Sequence, residues 1–513
     1  MSVPMVADNT PVIIGVGQYS ERVGEASYEA LSYMDLAGRS LAAAIRDSAA
    51  SGDLASAIDV LAAIRAFEMS RPDRTPPFGA PDNVPRAIAK RVGADPKRAI
   101  LTTTGGETNQ KLVGEFARDI AAGEAEVAVI VGAEAISTVL ALSAKGEKPD
   151  WSEDIGGSLE DQGFGTEEMM EPALFAHGAT GAIPLYALCE NARRHTLGKG
   201  LDEYRRDIGT LFEPFTRVAA ANPHAAAPKH RSAEELAKIT ERNRIVAEPY
   251  TRMTVARDQV NQAAAIIIAS AGKARALGVP QDKWVHIHGV SHAAELKLSE
   301  RPDLAKNPAS VASAEAALAR AGKGMEEMQF LDFYSCFAIP VFGQCDHFGL
   351  SADDPRGLTL TGGLPFFGGA GNNYSAHAIA EAIVRVRGAR GSYAFVGANG
   401  GWMSKYSAGV YSTEPADWSA GDRFEVVAKA DDAVAQHSGT FESAAVESYT
   451  INRTKKGDTA IWIGRESGGK RVIGNADLSD EATRAAFEGG EPFGAKFNVT
   501  QDERGRNIAR IAS

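Results

Sequence analysis

Two related α/β halves, joined by a helical excursion and followed by an all-β tail, are predicted by three observations in the 513-residue sequence. A glycine-rich corner ahead of a helix occurs twice, at 101–110 and at 361–377. Each corner leads, after its helix, to an apolar strand ending in glycine: 29 positions separate Thr103 from Gly132, and 28 separate Gly369 from Gly397. Each is also preceded by a strand ending in glycine, an Ala-rich helix and a second apolar strand, at 11–15, 36–49 and 58–64 in the first copy and at 284–289, 309–321 and 328–333 in the second. A repeat of this kind reads as two βαβ-type units.

Along the chain, residues 11–140 alternate strand and helix, with strands expected at 12–14, 58–64, 98–102 and 127–131 and a helix at 107–122. From about 143 to 252 the pattern changes to an excursion carrying Trp151, Asp154, Gly156, Gly157 and the acidic stretch 165–171. It then turns helical at 185–195, 201–217 and 232–243, as a lid over one face of the core would. The chain re-enters the sheet through 255–270, whose AAAIIIAS run has the unbroken apolarity of a strand buried on both faces. The second half runs from 284 to 412, and its helix is expected at 375–388. Beyond the linker-like EPADWSA, period-two segments at 424–430, 445–452, 460–465, 471–474 and 494–499, with a TKKGD turn, predict a small antiparallel β-barrel. The division is then 1–142 with 253–283 as the first half, 143–252 as the lid, 284–413 as the second half and 417–513 as the barrel.

Composition narrows the function classes. An apolar fraction of 44% with 23% charged residues is that of an ordinary globular protein, and no apolar run is long enough to span a bilayer. The first ten residues, MSVPMVADNT, have neither a basic region nor an apolar core, so the expected location is the cytoplasm. Three cysteines, Cys189, Cys336 and Cys345, are too few for a disulfide framework and have no metal-ligand spacing. His286, His288 and His292 share a predicted strand, but one histidine repeat is weak evidence for a metal, and none is expected. A net charge of −12, and 13 basic against 16 acidic residues from Asp417 onward, disfavour nucleic acid as a partner.

The second corner carries the chemistry-bearing pattern. Seven of the ten positions 362–371 are Gly, Pro or Ala, so this backbone must approach something closely. Ala376, Ile379, Ala380 and Ile383 then repeat at helical spacing. The glycines therefore empty into a helix N-terminus, whose free N–H groups favour an anion or a polarised carbonyl. An acyl or phosphate group suits that place. A corner that merely lets a helix pack tightly on a sheet is the other reading, and the second copy at 101–110 weighs against it.

A duplicated βαβ core, a helical loop domain and glycine corners at both helix starts resemble the thiolase superfamily over about residues 10–412. The family's scaffolding glycines have counterparts in Gly105-Gly106, Gly132-Ala133-Glu134, Gly362-Gly363 and Gly400-Gly401, and Cys336-Phe337 matches its histidine-containing box. The resemblance implies the thiolase fold, layered α/β/α/β/α, and 3-ketoacyl-CoA chemistry. The groups that carry that chemistry differ: by this register Thr103 replaces the nucleophilic cysteine, Tyr334 the box histidine, Gly369 the loop histidine and Gly397 the late cysteine. With the added barrel, the chain is most similar to thiolase-like proteins of the sterol-carrier-protein thiolase branch.

Those replacements matter because a cysteine thiol is partly ionised near neutrality, whereas a threonine hydroxyl needs an adjacent base to attack. No base for Thr103 is evident in sequence. The groups the register brings near the pocket are Cys336, His377, Tyr334 and Thr103 as catalytic candidates, and Asn372, Asn373, Gly369, Asn399 and His177 as substrate-binding candidates. Several have plain structural readings: Cys336 as a small core residue, His377 as a buried histidine on an Ala- and Ile-rich helix, Asn372 and Asn373 as turn or cap residues, and His177 as a loop residue. The expectation is a thiolase-like acyltransferase, resembling acetyl-CoA acetyltransferases of lipid metabolism, that acts on an acyl-CoA or acyl-carrier thioester without ordinary thiolase residues. Coenzyme A would be part of the substrate, with no tightly bound cofactor. The alternative is a catalytically silent thioester-binding or scaffold protein. Thiolases usually pair through their sheets, so the resemblance implies a homodimer, with a monomer as the alternative.

Overall fold

The structure is a computed structural model that describes residues 6–512; the start of the N-terminal stretch read above for an export signal lies outside them. Its strands, in chain order, begin with β1 (Pro11–Ser20), β2 (Val60–Ala63), β3 (Arg98–Leu101), β4 (Val127–Ala135), β5 (Glu160–Asp161), β6 (Ile245–Ala247), β7 (Tyr250–Thr251) and β8 (Asn261–Ser270). The second half contributes β9 (Val285–Ala294), β10 (Phe330–Asp332), β11 (Tyr393–Gly400), β12 (Lys405–Ser412) and β13 (Phe424–Val427). The tail contributes β14 (Ser443–Thr454), β15 (Gly457–Glu466), β16 (Arg471–Ala476), β17 (Lys496–Gln501) and β18 (Asn507–Ile511).

The repeat read from the glycines is present in the pairing. In the first half β2 runs parallel to β4, β4 antiparallel to β8 and β8 antiparallel to β1. In the second, β10 runs parallel to β11, β11 antiparallel to β12 and β12 antiparallel to β9. The two sets join edge to edge where Val12 meets His286 and Ile13 meets Val285. The copies differ at the outer edge: among the described residues β3 and β5 have no counterpart strands in the second half. There the carboxylate of buried Asp332 accepts from Leu360 N (2.7 Å) and Thr359 Oγ1 (3.1 Å), doing with a side chain what a ladder would do.

Alternation explains why these strands read as unbroken apolar runs. In β4, Val127, Val129 and Val131 face an outer core with helices Tyr33–Asp47 and Val84–Lys90, while Ala128 and Ile130 face an inner core. The inner core is filled by two central helices, Thr108–Ala121 and Tyr374–Gly388, through Leu112, Phe116, Ile120, Ile379, Ile383 and Val386. Both faces of the sheet are thereby covered, which is what a parallel-type α/β sheet requires. This is the thiolase fold that the resemblance implied.

The lid contains helices Ala182–Thr196 and Leu201–Ala221, and its last helix is only Ala233–Ala237, shorter than the pattern at 232–243 implied. The tail closes into a five-stranded barrel, β14-β15-β16-β18-β17, shut by Ala444 pairing with Phe497. One pairing, β16 with β18, is parallel. Phe424–Val427, expected in the barrel, instead pairs with β9, and Trp418 and Phe424 are buried in the inner core, so the core extends past the expected boundary at 413. The barrel also rests on the lid: Ile461, Ile463 and Ile473 pack into the lid's core, Asn191 Nδ2 donates to Tyr449 O (2.9 Å) and Arg194 Nη2 to Gly490 O (2.7 Å).

Candidate functional site

The two glycine corners meet at the starts of the central helices, as the internal repeat implied. Asn372 sits between them: its Oδ1 accepts from Gly105 N (3.0 Å), and its Nδ2 donates to Arg65 O (2.7 Å) and Ser70 Oγ (3.0 Å). Asn109 Nδ2 donates to Asn372 O (2.9 Å), and Ser375 Oγ donates to Gly106 O (2.5 Å). Asn373 Nδ2 donates to Gly132 O (2.7 Å), and a Cβ on Gly132 would stand 2.7 Å from that same amide. Both asparagines are therefore buried cross-links between the halves. Gly371 has φ +54°, a conformation few side chains adopt, and a Cβ there would strike the Glu134 carboxylate.

Glu134 closes the end of β4. Its Oε1 accepts from Phe67 N (2.8 Å), and burial, reinforced by Glu68, pushes its carboxyl up to about 8. Nothing in the sequence singled it out beyond its place after Gly132-Ala133, because its burial depends on Gly371 approaching from the other half.

Thr103, at the nucleophile's place, is roofed by the segment 160–171. A Cβ on Gly165 would lie 2.8 Å from Thr103 Cβ and 3.4 Å from Lys405 Nζ. Lys405 is buried and donates to Gly165 O (2.6 Å), while Thr104 N donates to Phe164 O (2.9 Å). The Phe164 ring lies against the Arg65 guanidinium, 4.9 Å from its centroid. Lys405 was not among the sequence candidates, since its partner stands 240 positions away.

Cys336, Tyr334 and Asn399 come together on the other side of this loop. Asn399 Nδ2 donates to Tyr186 Oη (3.0 Å) and lies 3.8 Å from Cys336 Sγ. Burial pushes the Cys336 thiol up to about 12, so it is a neutral, poor nucleophile at neutral pH. Burial, with Cys336 and Glu107 nearby, likewise raises the Tyr334 phenol, whose hydroxyl fills the space a side chain at Gly106 would need. Tyr334, Gly397 and Asn399 line a cavity of about 20 Å³, room for about one water and not for an acyl chain.

His377 is held elsewhere. Its Nδ1 meets Gln18 Oε1 at 2.7 Å, its ring packs edge-on against Phe367 (5.1 Å), and burial pushes its pKa down to about 3. That hydrogen bond places the ring proton on Nδ1. None of these contacts is with Cys336, which sequence had placed beside it. His177 joins the lid to the barrel: its Nδ1 meets Ala173 O (2.7 Å), its Nε2 accepts from Asn507 N (3.0 Å), and burial lowers its pKa. Both ring nitrogens are committed to main chain, so the structure places it in an interface and not against the glycine loops. Gly369 N donates to Arg257 O (2.7 Å), tying its loop to the chain entering β8. Among the described residues no group of three His, Cys, Asp or Glu is disposed to hold a metal, and no helix is long and apolar enough to cross a membrane.

Residues 425–504 match the family model of the thiolase-like protein type 1 additional C-terminal domain. A monomeric SCP2-thiolase-like protein type 1 from Mycobacterium smegmatis is 40% identical, with 99% of this chain and 100% of that chain covered and a TM-score of 0.82. Human mitochondrial 3-ketoacyl-CoA thiolase shares the fold at a TM-score of 0.55 and 17% identity, covering 79% of this chain and 99% of its own. An acetyl-CoA acetyltransferase from Syntrophomonas wolfei does so at 0.55 and 16%, covering 80% and 100%. No curated protein matches the sequence. Matched over nearly its whole length, the chain belongs to the family of SCP2-thiolase-like proteins type 1.

Proposed function

We propose that this protein uses the thiolase fold to bind an acyl-CoA or acyl-carrier thioester and does not run thiolase chemistry. The observation that carries this reading is that, among the candidates Thr103, Cys336, Tyr334 and His377, no two are hydrogen-bonded to each other as nucleophile and base. Thr103 lies under Lys405 and the 160–171 segment, the Cys336 thiol is held at about 12, and His377 is neutral and bonded to Gln18. General-base assistance is worth about 10² to 10⁴ in rate, and an oxyanion donor a further 10² to 10³. The Gly105 N–H that would serve as such a donor is taken by Asn372.

Support for a thioester ligand comes from the retained fold and from the two helix N-termini that converge there. Gly165 and Lys405 lie over Thr103, so access to that corner requires the 160–171 segment to lift. Acyl transfer through Thr103 or Cys336 is the competing reading, and no contact of either residue favours it. The three buried free thiols suit a reducing cytoplasm, and the monomeric state named for the 40% identical relative is extended to this chain. Calorimetric titration with CoA and short acyl-CoAs, beside a coupled thiolysis assay on acetoacetyl-CoA, tests the proposal. Saturable binding with no thiolysis is expected; failure of every acyl-CoA and acyl-carrier thioester to bind contradicts it.

A further inference from the structure

We infer that a second site, distinct from the glycine corners, binds a small oxyanion, a carboxylate or a phosphate, in the cleft between Arg22 and Arg257. The cleft holds about 220 Å³ and is walled by the end of β1, the chain entering β8, and the loop after helix Leu201–Ala221. That volume is below the roughly 300 to 1,000 Å³ of sites for drug-sized ligands, which suits a small anion and not a whole coenzyme.

Of the two cations in the cleft, one is held by its side chain and the other by its backbone. Arg22 is pinned in place, its Nε donating to Ala225 O (2.8 Å), its Nη2 to Pro223 O (2.6 Å) and its Nη1 to Glu25 (2.8 Å). Arg257 has its backbone fixed by Leu364 and Gly369, while its guanidinium has no carboxylate within ion-pair distance among the described residues. Arg252 and Arg231 add positive charge beside it, and Asp258 next in the chain offsets part of this. The acid lining the cleft, Glu21, is already committed to the main chain, accepting from Glu29 N (3.0 Å) and Leu31 N (2.9 Å).

A second, independent observation points to a ligand. Asn261, 2% exposed, lines the cleft, yet its Nδ2, a donor suited to an oxyanion, has no hydrogen-bond partner among the described residues; the unpartnered Oε1 of Gln262 beside it is an acceptor and suits only an O–H of the ligand or a water. Buried polar atoms are seldom left so, and a bound water, ion or ligand is a usual partner. The remaining amide atoms are used: Asn261 Oδ1 accepts from Thr138 N (2.9 Å), and Gln262 Nε2 donates to His224 O (2.9 Å) and Phe367 O (2.8 Å). Gln262 thus connects the cleft to the glycine loop, and an occupant would bear on that loop's position.

Calorimetric titration of the full chain with inorganic phosphate, and separately with malonate, tests this inference at low ionic strength. Neither probe is a thioester, so the outcome is independent of the reading proposed above. Saturable binding of one or both probes is expected, weakened about tenfold or more in Arg257→Gln and unchanged in Arg71→Gln, whose arginine pairs with Asp73 on the surface. Phosphate alone would mark a phosphate ester as the ligand, and malonate alone a carboxylate. Arg257 is exposed, so its substitution leaves packing intact; Arg22→Lys, which keeps the charge and loses the fork, should weaken binding as well. Binding of neither probe, or equal binding by wild type and Arg257→Gln, overturns the inference.

Discussion

The seam between the central helices and the cleft beside Arg257 lie on either side of one glycine loop, and they use their polar atoms in opposite ways. At the seam, Gly105 N, Gly106 O, Arg65 O and Gly132 O are all matched to Asn372, Asn373 or Ser375. In the cleft, Asn261 Nδ2 and Gln262 Oε1 go unmatched and Arg257 has no counter-ion among the described residues. A helix N-terminus is an oxyanion site only while its donors are free. Here Asn372 takes one such donor, Gly105 N, and side chains of the fold take the carbonyls beside it, so the seam is built as a joint between the halves, as the proposed reading requires.

The first way to break this comparison is to remove what holds the joint from outside. Truncation after Thr413 strips β13 from β9 and uncovers the inner core at Trp418 and Phe424, and it leaves the lid without Ile461, Ile463 and Ile473. The expected outcome is insoluble chain on expression, read by soluble yield; a soluble, folded product would show that the tail is a detachable unit. Next in size, Asn372→Ala leaves Gly105 N and Arg65 O without partners inside the seam. It should cost about 3 kcal/mol, about three buried hydrogen bonds, in denaturant unfolding. A loss under about 1 kcal/mol would mean the seam is not a joint.

Glu134→Gln sharpens the comparison by pH. The folded carboxyl sits at about 8 against an ordinary 4.5, so the native state holds a proton that the unfolded chain releases. Its contribution is full below about 4.5 and is lost as pH rises through about 8. The glutamine, which keeps the acceptor for Phe67 N, should therefore flatten the fall in melting temperature between those limits, and an unchanged slope would contradict the assignment. The smallest effect is expected from Lys405→Met, which removes the donor to Gly165 O. Hydrogen exchange should quicken in 160–171 with little change in global stability.

Much of the fold was legible because alternation and glycine spacing are local properties. Val127 to Val131 must form a strand covered on both faces, and Gly132 and Gly371 mark places where backbone from the other half comes close. The joint itself was not legible. Asn372 reaches Gly105 across 267 positions, and Lys405 reaches Gly165 across 240, and no pattern on either segment encodes the partner. Strand β18 escaped notice because NIARI buries only Ala509 and so lacks an apolar rhythm. β13 read as barrel because FEVV has the composition of a strand; which sheet receives it is decided by Trp418, whose Nε1 donates to Ile287 O (3.0 Å) and anchors the chain against β9.

The claim that the corners bind without reacting is tested most directly by intact-protein and peptide mass spectrometry after incubation with acetyl-CoA and acetoacetyl-CoA. The account predicts an unmodified chain, with Thr103 and Cys336 free of acyl groups at neutral pH, since His377 is bonded to Gln18 and not to Thr103, and Cys336 stays a thiol. A stoichiometric acyl adduct on Thr103 or Cys336, lost in the corresponding alanine variant, would contradict it.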